Sequence, residues 1–395
     1  MQRGDVGDFS SRVTSRRFGG LTADEISLLG RPSSQTDGPV AQAETVFQDL
    51  LAALDEHGAS PRDLTRETLL LRDIAHDLPA VLDARERVLD AAGCRDAPMP
   101  SFIEQPPLSG AALEVVATAV VPQDPARRSI VDLPADTACG CAGCRRSAGR
   151  RLTRGDETTL HTNLLYAAGK NTGEQAWNLF CAAEQLLDRC GMTFRDVVRT
   201  WIYLRDIDRD YDALNQARRS FFARRGVEPR PASTGVQGVP LPGGHDVGLS
   251  LIALRSSRPL EIRAVSTPTL NEAWSYGADF SRGLRWRDCD RVVLQVSGTA
   301  SIDEQGRTVH VDDPRGQIER MLNNIAMLLA GQGASFADIT SGVVYLKRPA
   351  DAALLRSLCD ERGFRGFPCA MVEAPLCRPE LLCEAEAVAL LPRSA

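Results

Sequence analysis

Gly191-Met192-Thr193-Phe194-Arg195-Asp196-Val197, followed thirteen residues after its leading glycine by Leu204-Arg205-Asp206, is the stretch that decides the fold. The same frame stands at Gly58-Ala59-Ser60-Pro61-Arg62-Asp63-Leu64 with Leu71-Arg72-Asp73, and at Gly333-Ala334-Ser335-Phe336-Ala337-Asp338-Ile339 with Leu346-Lys347-Arg348. Three copies at one internal spacing mark a chain built from repeats of a single supersecondary unit. Working outward, a helix precedes each glycine, with apolar residues at helical spacing: Phe47, Leu50, Leu51 and Leu54 in the first copy, Leu322, Ile325, Leu328 and Leu329 in the third. The glycine suits a helix stop, where left-handed backbone is cheapest without a Cβ. A β-branched, aromatic strand follows, as in Val198 to Leu204. A second helix comes next, such as Tyr211 to Phe222, and then a Pro-bearing turn and a strand of small residues: Leu113 to Val120, Val247 to Leu254, Cys383 to Leu390. The third copy also predicts an opening hairpin, Val292 to Ser301 turning at Asp303-Glu304-Gln305-Gly306 into Arg307 to Val311.

This order predicts α+β lobes with the helices on one face of each sheet. The expected division is lobe one at 20–123, a linker at 124–155 rich in Arg, Gly, Asp and Cys, lobe two at 156–256, a linker at 257–270, and lobe three at 271–395.

Composition narrows the function. The 395 residues are 43% hydrophobic and 25% charged, which suits packed globular domains. Lys and Arg number 46 against 52 Asp and Glu, a formal net charge of -6, so affinity for nucleic acid through phosphate neutralisation is not expected. No apolar run approaches bilayer length, and the N-terminal Met-Gln-Arg-Gly-Asp-Val lacks the apolar centre of a signal peptide. Eleven cysteines at scattered spacings fit a reduced, cytoplasmic protein. Cys139, Cys141 and Cys144 have chelating spacing but no visible fourth ligand, so no metal is assigned. Gly238 through Gly244 lacks the Lys-Ser/Thr and the helix of a phosphate loop. No triad can be assembled from the five histidines, and no cofactor is expected.

Several motifs resemble the RidA/YjgF superfamily: Arg199 through Ile207, Tyr211 with Asn215 and Arg218, Arg230-Pro231-Ala232-Ser233-Thr234-Gly235, Val296-Ser297-Gly298-Thr299-Ala300, and Cys377-Arg378-Pro379-Glu380-Leu381-Leu382-Cys383-Glu384. Members are typically trimers with clefts between subunits, so the resemblance implies a pseudotrimer made from one chain. Within the superfamily, lobes two and three resemble the chorismatases, which cleave the enolpyruvyl ether of chorismate without a cofactor. Tyr276-Gly277 with Phe280-Ser281-Arg282, and the pattern ending at Glu384, carry that likeness.

The likeness implies one competent cleft per chain. Glu384 would be its general acid: alternation in an apolar strand puts it on one sheet face with Glu386, where desolvation raises a carboxyl pKa. Arg378, Arg282 and Lys347 would grip substrate carboxylates. Tyr276, Ser297 and Thr299 would line the cleft from lobe three, and Tyr203 and Arg218 from lobe two. Cys377 would act as a thiol beside Arg378, if its thiolate were favoured there. Glu114 and Gly248 stand where Glu384 does in the other two copies; the first lacks a nearby Arg in Pro106-Pro107-Leu108-Ser109, and the second is no carboxylate. The ligand would be a small carboxylated metabolite, and the protein a monomer or a homo-oligomer, with neither nucleic acid nor membrane as partner. Two other readings stay open: a RidA-type imine or enamine deaminase, disfavoured because Leu376 occupies the register of the gripping arginine, and a non-catalytic binder or scaffold.

Overall fold

The computed structural model describes residues 12–94, 97–127, 129–134, 147–240 and 244–393. Two local devices build each repeat frame. Gly58, Gly191 and Gly333 have φ of 67°, 69° and 73°, the left-handed turn that ends the preceding helix. Ser60 with Asp63, Thr193 with Asp196 and Ser335 with Asp338 then form capping boxes, each aspartate accepting the Ser or Thr backbone N–H at 2.8, 2.7 and 2.8 Å. The recurring aspartate thus fixes the one-turn helix that launches the strand.

The first lobe runs β1 (Val13–Phe18), β2 (Ala23–Gly30), α1 (Pro39–Glu56), β3 (Leu64–Leu71), α2 (Ile74–Ala91), β4 (Ser101–Glu104) and β5 (Leu113–Pro122). The second runs β6 (Ile130–Leu133), β7 (Gly149–Arg154), β8 (Glu157–Thr162), α3 (Thr172–Arg189), β9 (Val197–Leu204), α4 (Ile207–Arg225), β10 (Ala232–Gln237) and β11 (Val247–Ser256). The third runs β12 (Ile262–Ala264), β13 (Gly283–Arg287), β14 (Arg291–Ala300), α5 (Pro314–Ala330), β15 (Ile339–Leu346), α6 (Ala352–Arg362), β16 (Cys369–Glu373) and β17 (Cys383–Pro392). The sheet orders are β1-β2-β5-β3-β4, β10-β9-β11-β8-β7-β6 and β12-β13-β14-β17-β15-β16. The second helix of each lobe is a crossover that makes β4, β10 and β16 parallel to β3, β9 and β15. Among the described residues no helix is long and apolar enough to cross a membrane.

Some expectations need correction. The stretch expected as a linker at 124–155 supplies β6 and β7 to the second sheet, and that at 257–270 supplies β12 to the third. The first sheet begins at Val13, ahead of residue 20. Residues 307–311 do not form a strand: only an isolated bridge joins Ile302 to Thr308. His310 and Asp312 adopt φ of 58° and 60°, which coils the chain into the cap of α5 instead of extending it. The short strands β4, β10 and β16 were not anticipated, because stretches such as Ala232-Ser233-Thr234-Gly235 are small and polar.

Helices cover one face of each sheet. In the second lobe Phe180, Phe194, Phe221 and Phe222 pack between them, with Phe194 and Phe221 edge-on at 4.9 Å between centroids. The other faces meet on a common axis. Counted back from the frame leucines, Arg66, Arg199 and Ser341 are equivalent, then Thr68, Trp201 and Val343, then Leu70, Tyr203 and Tyr345; all nine line one axial cavity. One backbone bridge joins each pair of lobes, Glu104 to Val239, Pro107 to Val372 and Ala232 to Ser281. The chain is a ring of three sheet-centred lobes.

Candidate active site between the second and third lobes

A cleft of about 510 Å3 opens along the seam where α4 and β10 of the second lobe meet β14, β17 and the Cys377–Leu381 segment of the third. That volume suits a small ligand. The seam is stitched by short polar bonds. Ser297 Oγ donates to the Ser281 carbonyl at 2.6 Å and accepts the Ser233 N–H at 2.9 Å, while Arg230 pairs with Asp279 at 2.6 Å.

Glu384 projects from β17 into this cleft and is 5% exposed. Gly298 makes the room, since a Cβ there would land on Glu384 Oε1. A bulge in β14 between Val296 and Thr299 brings that glycine into place. Among the described residues no hydrogen bond or ion pair reaches the Glu384 carboxyl. Burial pushes its pKa up to about 8, Glu386 on the same strand face adds to the rise, and Arg282 and Arg199 oppose it. The carboxyl therefore holds its proton at neutral pH. Glu386 shares that face but turns to the axis, where it accepts from Arg199 and from the Trp201 indole, both at 2.7 Å.

Three guanidinium groups line the cleft. Arg218 of α4 is buried, donates to Asn215 Oδ1 at 2.6 Å and lies over the Phe280 ring. Arg282 is also buried, over the same ring, and is anchored by the Asn271 carbonyl at 2.8 Å. Arg378 donates to the Gly306 carbonyl at 2.7 Å. A fourth, Arg219, stands at the mouth against the Gly277 carbonyl at 2.9 Å. Arg219 was not singled out from the sequence, and Phe280 was quoted there only within the Phe280-Ser281-Arg282 motif, with no role at the site. Neither residue type is informative alone, and only the packing of α4 against residues 277–282 brings them together.

The remaining expected residues are distributed otherwise. Cys377 lines the cleft, yet burial pushes its thiol up to about 12, with Glu384 adding to the rise and Arg378 and a hydrogen bond from Tyr211 opposing it. A stabilised thiolate is thus not what this pocket provides. Lys347 lies outside the cleft, its Nζ donating to the Pro379 carbonyl at 2.6 Å. Tyr203 is an axial residue, not a wall of the seam. Ser297 is spent on its two seam bonds, and Thr299 Oγ1 donates to the Ser297 carbonyl at 2.8 Å. Tyr276 ends a short helical turn, Ala273–Tyr276, just ahead of cleft residue Gly277. Cys139, Cys141 and Cys144 lie outside the described residues. Among those described, Glu157, Asp288 and Cys289 bring ligand-type atoms within 4.8 Å of one another. However, Asp288 is bonded to Arg154 at 3.0 Å, and burial holds the Cys289 thiol protonated, at about 12.

The equivalent seams differ. Glu114 pairs opposite Leu70 as Glu384 pairs opposite Tyr345, so the two carboxylates are positional equivalents. Arg31 reaches Glu114 at 3.3 Å and also donates to the Cys369 carbonyl across that seam at 2.9 Å. In the third seam Gly248 packs against Leu164 and Pro240.

A ring of three α+β lobes, each a sheet with two helices on one face, is the architecture of a RidA-like protein. The chain belongs to the family described as Endoribonuclease L-PSP, which it matches over residues 157–255 and 277–391. Among curated proteins it is similar to a chorismatase of Streptomyces rapamycinicus, 29% identical over 221 residues, covering 49% of this chain and 64% of that protein. A chorismatase of Streptomyces hygroscopicus is 26% identical over 215 residues, 48% of this chain and 60% of that one. The chain thus spans less than two thirds of the length of these two relatives. The 3-aminoacrylate deaminase RutC of Acinetobacter baylyi is 30% identical over 98 residues, 25% of this chain and 78% of that protein. A chorismatase crystal structure superposes with a TM-score of 0.59 at 17% identity, covering 83% of this chain and 93% of that one, which establishes a shared fold.

Proposed function

We propose that the protein is a cofactor-free enzyme that cleaves the enolpyruvyl ether of chorismate, or of a related carboxylated ring, with release of pyruvate. The observation that carries this reading is a buried carboxyl, protonated near neutral pH, facing the same small cleft as Arg218, Arg282 and Arg378. Forked guanidiniums suit a substrate bearing two carboxylates. With those groups held, Glu384 donates its proton to the terminal methylene carbon of the enol ether, and the C=C electron pair forms the new C–H bond. The resulting oxocarbenium ion is trapped by water, which returns a proton to Glu384. The hemiketal then collapses, the ring oxygen leaving as a hydroxyl and the three-carbon unit as pyruvate. Burial of its carboxyl keeps the acid neutral until substrate arrives.

Incubation with chorismate and enzymatic assay of pyruvate tests the reading. Release is expected from the wild type, and Glu384→Gln is expected to lower it by about 10²–10⁴-fold, the range for loss of a general acid, with the melting transition retained. No pyruvate from the wild type overturns the proposal. A second reading, deamination of an enamine or imine, draws on the likeness to the 3-aminoacrylate deaminase. It is weakened by Leu376, which is 2% exposed and packed in the core where a gripping arginine would be needed. Ammonia release from 2-aminoacrylate without pyruvate release from chorismate would favour it.

A further inference from the structure

The ring axis holds polar chemistry that the seam does not use. Two adjacent cavities of about 80 and 40 Å3 share Arg66, Thr118, Trp201, Gln295, Ser341 and Val388 as walls, and all three sheets contribute. The larger could accommodate two or three waters or one small ion, given about 30 Å3 per water in the liquid. Pseudo-threefold symmetry puts Arg66 and Arg199 at equivalent positions, with Ser341 at the third. Both guanidiniums lie over the Trp201 ring, at 3.8 and 4.5 Å from its centroid.

The carboxylates around this chamber are already committed. Glu25 pairs with Arg291 at 2.8 Å, Asp288 and Asp290 bond Arg154, and Glu386 pairs with Arg199. Among the described residues none comes within ion-pair distance of Arg66. Arg199 Nε and Nη1 and Arg291 Nη1 are buried without a hydrogen-bond acceptor, on side chains only 1% and 4% exposed. An orphaned buried donor of this kind is costly, and a charged one more so. His161 reports the local field: burial first, then Arg66, Arg154 and Arg291, hold its pKa down near 3.

We propose that the axial chamber is a binding site for a small inorganic monoanion of chloride to nitrate size, with Arg66 as its principal ligand. Arg66, which no described carboxylate approaches within ion-pair distance, sets the sign of the ligand's charge, and the volume sets its size. The anion would offset the mutual repulsion of Arg66 and Arg199 and so hold the three sheets together from inside.

The test needs no activity assay. Thermal unfolding of the full chain is followed at constant ionic strength while sodium gluconate, too large for the chamber, is replaced by chloride, bromide or nitrate. A saturable rise in Tm of about 2 °C or more is expected with the small anions, as ligand linkage requires. In Arg66→Gln that rise is expected to vanish. Crystals of the wild type grown in sodium bromide are expected to show an anomalous peak in the chamber beside Arg66, which decides the matter even if the variant does not fold. No bromide peak there, or a Tm response identical in gluconate, overturns the proposal.

Discussion

A carboxyl that stays protonated at neutral pH leaves a signature in the stability of the whole protein, and Glu384 is the residue to show it. Its folded pKa of about 8 lies above the ordinary glutamate value of 4.5 that the unfolded chain would have. Between those values the folded state keeps a proton that the unfolded state releases. Its contribution to stability is therefore fully present below about pH 4.5 and is lost as pH rises through about 8. Glu384→Gln removes the titration. The stability of the wild type relative to this variant is expected to fall by several kcal/mol, on the order of 4, between pH 4.5 and pH 9. Urea denaturation of both proteins across that range checks it; parallel curves would mean the carboxyl is ionised in the fold. The strand position of this carboxyl was legible because the repeat frame locates it. Lys347 was misread for an equally local reason. The third copy has Arg348 where the others have the capping Asp73 and Asp206, so a short helical turn, Pro349–Asp351, precedes α6, and the lysine folds over Pro379. For Tyr203, alternation gave no help, because every residue of β9 is buried on both faces.

At the scale of elements, the question is why three homologous seams differ. Strand register sets Glu114, Gly248 and Glu384 at one position, and the facing lobe then decides what each does. In the seam between the third and first lobes, Arg31 enters from β2's end, pairs with Glu114 and bonds the β16 backbone, standing where a ligand's charge would go. Arg31→Ala is expected to destabilise the fold by about 2–4 kcal/mol, because it strands a carboxyl that is 1% exposed. Pyruvate release per folded molecule is expected to be unchanged, since the seam that bears Glu384 lies between other lobes. The added change Glu114→Gln should restore part of the loss. Urea midpoints for the single and double variants measure this, and a midpoint equal to wild type for Arg31→Ala would show that the pair contributes nothing. From sequence these seams were expected to lack chemistry of their own, and the plug was not foreseen, because Arg31 lies 83 residues from Glu114. Helices and central strands were readable from periodicity; β4, β10 and β16 were not, since parallel pairing rather than composition makes them strands.

Fusing three lobes into one chain frees each seam to diverge, which a trimer of identical subunits cannot do. The lobes are held by charge as well as by backbone bridges: Arg154 ties the second lobe to Asp288 of the third at 3.0 Å, and Arg291 ties the third to Glu25 of the first at 2.8 Å. Among the described residues of that ring, only the seam between the second and third lobes combines a neutral acid, several guanidiniums and open volume, so the proposed function predicts one ligand per chain. Calorimetric titration with a non-reactive cyclic dicarboxylate is expected to give a stoichiometry near one. Arg282→Ala and Arg378→Ala should each weaken binding by about 10–100-fold, the scale of a hydrogen bond to a charged group. Arg31→Ala should leave both affinity and stoichiometry where they were. A stoichiometry near three would mean that the plugged and apolar seams also open. Undiminished affinity in both Arg282→Ala and Arg378→Ala would place the ligand somewhere other than the cleft they line.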